Sequence, residues 1–208
     1  MVAGVELIYN TGASALQMAQ EIFGAGVTVT GATFTGDARA SAIYSGGDTI
    51  SPGVVPADSG VILSTGQATR FTNDNAAQSN LATNTTSASN GPNGVADFNA
   101  LAGATTFDAA FLDISFVADP NVSALTIDFV FASEEFPEFS TSVFNDVIGV
   151  WSNGQLVPIA VGNDEVSVGN LNQQSSPNLF NDNTADQFNT ENDGFTLTLS
   201  LTLSLIHI

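Results

Sequence analysis

The sequence predicts a mainly β protein: an antiparallel, jelly-roll-like β-sandwich with one short N-terminal helix. Three observations carry that reading. Apolar and polar residues alternate along several short runs, glycine-rich connections separate those runs, and the hydrophobic fraction of 43%, with 15 Phe, is that of a chain with a packed interior. A period of two turns one face of each strand to the core and the other to water, as antiparallel sheets require. Many such strands joined by glycine-rich turns close into sandwiches or jelly rolls. A chain of 208 residues is long enough to build one such core without a metal or a disulfide.

The elements follow in order. Leu16, Ala19, Ile22 and Phe23 recur at helical spacing within residues 13–23, and Gly24 and Gly26 stop the run, so a short helix is expected there. Residues 27–30, 32–35 and 60–66 are β-branched or apolar runs bracketed by glycine and read as strands. From 67 to 103 the composition shifts to Asn, Ser, Thr, Ala and Gly, with only Phe71, Leu81 and Phe98 to anchor it, and a long polar loop is expected. That loop is either a mobile insertion or a binding loop. Leu112, Ile114 and Phe116 form the next alternating strand, and Leu125, Ile127, Phe129 and Phe131 the one after. Residues 147–151 and 156–161 are expected to pair as a hairpin over Ser152, Asn153 and Gly154, because Asn-Gly supplies the positive backbone angles of a tight turn. Alternation returns in residues 195–203. The last six residues, Leu-Ser-Leu-Ile-His-Ile at 203–208, read as the translation of a ligated sequencing adapter on a truncated reading frame, which would make His207 foreign. The alternative is a real terminal strand, since the alternation continues through Leu203 and Leu205.

Charge narrows the partners. Against 21 Asp and Glu stand only Arg39 and Arg70, for a net charge of −19. Nucleic acids and anionic lipid surfaces owe most of their affinity for proteins to Lys and Arg, so neither is an expected partner. Divalent cations or high ionic strength relieve such self-repulsion, which fits a calcium-rich or saline extracellular setting. There is no cysteine, hence no disulfide, zinc-thiolate site or thiol nucleophile. Residues 1–10 lack the basic region and apolar run of a secretory signal, and no stretch reaches the roughly 18 apolar residues of a membrane span, so no membrane insertion is expected in this segment.

Several motifs together resemble the choice-of-anchor L domain of secreted bacterial proteins. They are Gly-Val-Thr-Val at 26–29 with Phe-Thr-Gly at 34–36, Gly-Val-Ile-Leu-Ser-Thr-Gly at 60–66, Asp-Phe-Val-Phe-Ala-Ser-Glu-Glu-Phe-Pro-Glu-Phe at 128–139, Phe-Asn-Asp-Val-Ile-Gly at 144–149 and Glu-Asn-Asp-Gly-Phe-Thr at 191–196. The resemblance spans residues 13–202, and the Ser-Glu-Glu-Phe-Pro-Glu stretch with its Phe-Asn-Asp partner is its specific part. It implies a secreted or cell-surface module, attached by varied anchoring devices, with no enzyme activity. It also implies that relatives continue past Asp-Gly-Phe-Thr into further strands and a second acidic segment, and that relatives of this type are secreted without a cleaved N-terminal signal, with calcium-binding glycine repeats downstream.

Glu134, Glu135 and Glu138, followed closely by Asn145 and Asp146, are the densest group of hard oxygen ligands in the chain, and Asp193 is a candidate to join them. Calcium takes roughly six to eight such oxygens from flexible loops, so these six residues are the expected metal ligands. The competing reading is that acidic residues at strand ends face solvent or cap backbone amides. Asp182, Asn183 and Asp186 lie in a segment without the glycine and closing Glu of an EF-hand and read as an ordinary acidic loop. No catalytic residues are expected. The one histidine is His207, no Gly-x-Ser-x-Gly elbow occurs, and adjacent Glu134 and Glu135 point to opposite sides of an extended chain. The expected function is an adhesive or structural role toward an extracellular partner, which is a matrix, glycan or cell-surface component. The alternative is a carbohydrate-binding module, with a glycan hydrolase behind it. Sugar stacking would need an exposed ring, and Trp151, Tyr44 and Tyr9 are the only Trp and Tyr on hand.

Overall fold

The computed structural model describes residues 5–72, 89–142, 144–159 and 166–205. Among these residues the chain is mainly β, at 33% strand against 14% helix. Its elements run β1 (Ile8–Asn10), α1 (Ala15–Ile22), β2 (Val27–Thr35), β3 (Ser41–Ser45), α2 (Gly47–Ile50), β4 (Ser59–Leu63), α3 (Ala96–Ala102), β5 (Phe111–Ala118), β6 (Ala124–Phe129), β7 (Ala132–Ser133), β8 (Val147–Ile148), β9 (Trp151–Ser152), β10 (Gln155–Leu156), β11 (Val166–Ser167), β12 (Phe180–Asp182), β13 (Gly194–Thr196) and β14 (Leu199–Ser204). Among the described residues every pairing is antiparallel, consistent with a β-sandwich.

The helix α1 is set by its cap. Ser14 stays extended, its hydroxyl accepts the Gln17 N–H at 3.2 Å, and Gln17 Oε1 accepts the Ser14 N–H at 2.9 Å, which satisfies two otherwise orphaned donors. The face it buries is Met18 and Ala19, whereas Leu16 of the expected apolar stripe is exposed. The chain then turns at Phe23, whose ring lies 4.9 Å from that of Phe116 on β5. The two strands expected at 27–30 and 32–35 are one strand, β2, carried through a bulge between Val29 and Gly31 and paired along its length with β5. The segment expected to run as a loop over 67–103 carries a 3-10 turn at Ala68–Arg70 and the helix α3; its residues 73–88 lie outside the described ones. The short helix α2 is likewise an addition to the single helix expected.

The hairpin turn falls where Asn-Gly placed it, with Asn153 at φ 51° and Gly154 at φ 76° joining β9 to β10. The strand expected over 147–151 is split, however: β8 pairs with β11 and only β9 enters the hairpin. Of the second arm, expected over 156–161, only Leu156 is in β10, and residues 160 and 161 lie outside the described ones. Alternation is clearest in β14, where Leu199, Leu201 and Leu203 are buried between exposed Ser200, Thr202 and Ser204, and all six residues pair with β6. Residues 206–208, with His207, lie outside the described residues.

One continuous core holds Phe131, Phe136, Ile159, Val166, Val168, Leu171, Phe180, Leu199 and Leu201. Side chains of this size each contribute about 1.5–3 kcal/mol on burial. The sheet whose strands hydrogen-bond in the order β12, β13, β7 joins this core through Phe180 and has Asp182, Asp193 and Glu134 at its strand ends.

Candidate metal centre

The acidic turn begins where β7 ends. Ser133 of β7 lies opposite Gly194 of β13, and Asp182 of β12 lies opposite the same glycine on its other side. Gly194 is required there, because a Cβ at this position would stand 2.5 Å from the Phe180 ring and 2.7 Å from Phe136 Cβ. Pairing through that one residue brings three remote pieces of sequence together: the turn after Ser133, the end of β12, and Asp193.

Phe136 holds the turn down. Its side chain is fully buried, edge-on to Phe131 at 6.2 Å and 4.8 Å from Phe180. The backbone curls tightly around it, with Phe139 N–H donating to Glu135 O at 2.9 Å and Ser142 N–H to Phe139 O at 2.9 Å. The flanking carboxylates cannot follow the ring into the core, so Glu134 and Glu135 are left partly buried and Glu138 exposed. Glu134 Oε2 accepts the Asp193 N–H at 3.1 Å. Asp146 Oδ2 accepts the Ser133 hydroxyl at 2.8 Å, and Ser133 Oγ in turn accepts the Glu135 N–H at 3.1 Å.

Of the six expected ligands, five gather at this end of the sheet: Glu134, Glu135, Glu138, Asp146 and Asp193. Asn145 is spent elsewhere, its Oδ1 accepting the Gly169 N–H at 2.8 Å. Burial pushes the Asp193 carboxyl up to about 7, and the charges of Glu138, Asp182 and Glu191 add to the rise. Burial also raises Asp146, against the Ser133 hydrogen bond that favours its charged form. Glu135 is raised by burial first and then by Asp146 and Glu138. These carboxylates therefore carry charge at a cost, which a cation would remove. Asp193 is 2% exposed, and its Oδ1 has no hydrogen-bond partner. Among the described residues, no three acidic side chains stand close enough, as they lie, to enclose a metal ion.

The family model for the choice-of-anchor L domain matches residues 8–207. The chain belongs to this family. Comparison with curated proteins and with solved structures gives no match. As a choice-of-anchor L domain it is a cell-surface or extracellular module, from a secreted or surface-anchored protein. No helix among the described residues is long and apolar enough to cross a membrane.

The organiser that the sequence reading passed over in this choice-of-anchor L domain is Asn183, which is fully buried. Its Nδ2 donates to Thr190 O and Asn192 O, each at 3.1 Å, and to Phe188 O at 3.4 Å, while its Oδ1 accepts the N–H groups of Gln187 at 3.0 Å and Phe188 at 2.8 Å. One amide thus knits the loop 183–192 into a strap that ends on Asp193. An asparagine in a polar, acidic stretch gives no local sign of such a role; only the backbone groups around it do. Ser133 was missed for the same reason.

Proposed function

We propose that this domain is a non-catalytic structural or adhesive module that works outside the cell and is stabilised there by calcium. The observation that supports it best is Asp193: a carboxylate with a buried oxygen lacking a partner, at the end of a sheet where Glu134, Glu135, Glu138 and Asp146 also gather. Carboxylates held with raised proton affinity in an oxygen-rich rim are what a hard divalent cation satisfies, and extracellular fluids supply calcium. Family membership supports the extracellular setting and a role without catalysis. A glycan-binding role draws less support. Trp151 is half-buried and packed edge-on against Phe98 at 5.2 Å, and Tyr44 is 2% exposed with its hydroxyl on Ala57 O, so Tyr44 offers no open stacking face and Trp151 is partly engaged in packing.

Calorimetric titration of the purified domain with calcium tests the reading. Binding heat together with a calcium-dependent rise in melting temperature is expected; a domain that gives neither, or one that turns over a glycan substrate, overturns it.

A further inference from the structure

Resting on the calcium reading, we infer that one calcium ion seats on Asp193 Oδ1 with Glu138 and Asp182, clasping the turn 134–142 to the strap 182–193 and thereby holding the N-terminal sheet in place. This assigns the ion to Asp193 and away from Asp146.

The geometry divides the two carboxylates. Asp146 already has a donor in the Ser133 hydroxyl at 2.8 Å, and its backbone carbonyl takes the Val168 N–H at 3.1 Å, so it is built into the sheet. Asp193 has its backbone committed, the N–H to Glu134 Oε2 and the carbonyl to the Asn183 N–H at 2.8 Å, which fixes its direction while leaving Oδ1 with no donor. A buried carboxylate oxygen held rigidly without a donor is a standing cost unless a cation reaches it. The groups that face it are Glu138 from the turn, Asp182 from β12 and Glu191 from the strap. Glu138 and Asp182 are exposed, and Asp182 Oδ1 accepts the Thr184 N–H at 2.9 Å and hydroxyl at 2.6 Å, so Asp182 would turn its other oxygen, and Glu138 its carboxylate, toward the ion for a site to form where no three acidic side chains among the described residues now lie close enough to enclose one. Water and backbone carbonyls complete the larger coordination shell of calcium.

What such an ion would hold is set by the far side of the strap. Thr190 Oγ1 donates to Phe71 O at 2.8 Å and the Glu191 N–H to the same carbonyl at 3.0 Å. Asn189 Nδ2 donates to Val5 O at 2.8 Å and Ile50 O at 2.9 Å, and Ser51 Oγ donates to Asn189 O at 2.9 Å. Those partners flank β1, α2 and the 3-10 turn at Ala68–Arg70, all on or beside the sheet β1–β3–β4. A strap fastened at Asp193 therefore fastens the N-terminal sheet to the core around Phe136. Metal binding that orders a segment stabilises whatever that segment holds.

The test sets two isosteric variants against the wild type in calcium titration calorimetry, with amide hydrogen exchange read in millimolar calcium and in chelator. Circular dichroism checks that each variant is folded. Wild type and Asp146→Asn are expected to bind calcium, and Asp193→Asn to lose the heat. Calcium is expected to slow exchange in the wild type at 183–193 and also at 5–10 and 68–72. Heat kept by Asp193→Asn and lost by Asp146→Asn overturns this assignment and leaves the calcium reading standing. Protection confined to 134–146 also overturns it. No heat from the wild type removes the calcium reading itself.

Discussion

Replacing Asp193 with Asn in the calcium-free domain should stabilise it at neutral pH, and the size of the effect follows from the carboxylate's surroundings. Burial and the charges of Glu138, Asp182 and Glu191 carry its protonation from the ordinary 3.8 to about 7. The folded state thus binds a proton that the unfolded state has released across that interval. Stability from this group is complete below about pH 4, falls as pH rises toward 7, and is flat above. At full value the interval from 3.8 to about 7 corresponds to roughly 4 kcal/mol. Glu138 and Asp182 are exposed and their repulsion is screened by water, so about 1–2 kcal/mol is the expected loss. Asn keeps the shape and drops the charge. Urea denaturation in chelator at pH 4.5 and pH 8 measures the difference: the wild type should lose more stability over this range than Asp193→Asn by about 1–2 kcal/mol. Glu135 and Asp146, both raised, keep a residual slope of the same sign in the variant. Equal slopes in the two proteins would refute the argument that Asp193 carries its charge at a cost.

Asn183→Ala removes an amide that satisfies buried carbonyls and N–H groups of the strap. It should cost about 2–4 kcal/mol in urea denaturation, with faster proteolysis within 183–193. Phe136→Ala empties a fully buried site between Phe131 and Phe180. A loss of about 3–5 kcal/mol is expected, measured as a lower urea midpoint, and calcium heat should fall with it because the acidic turn loses its anchor. Gly154→Ala places a side chain at φ 76° in the β9–β10 turn. With nothing within 4 Å to obstruct the new methyl, backbone strain alone should lower stability by roughly 1 kcal/mol in the same assay.

What could be read from the chain alone is what depends on neighbours in sequence. Alternation in 112–116, 125–131 and 195–203 located β5, β6 and β14, since a period of two is a property of the strand itself, although β6 ends at Phe129 and the last run is divided between β13 and β14. The stop at Gly24 and the Asn-Gly pair at 153–154 marked the end of a helix and a turn through local backbone preference, and the family motifs needed no coordinates at all. Glu134, Glu135, Glu138, Asp146 and Asp193 stood out because carboxylates are conspicuous. Tertiary structure alone decided which of them meet. The pairing of β13 with β7 and β12 sets Asp193 beside Glu134, 59 residues away in sequence. It arises because Phe136 and Phe180 close over Gly194, a contact no local pattern records. Asn145 turned to Gly169 and Asn183 became the hub of the strap for the same reason: a polar side chain takes the backbone partners that folding delivers to it, and those come from elsewhere in the chain.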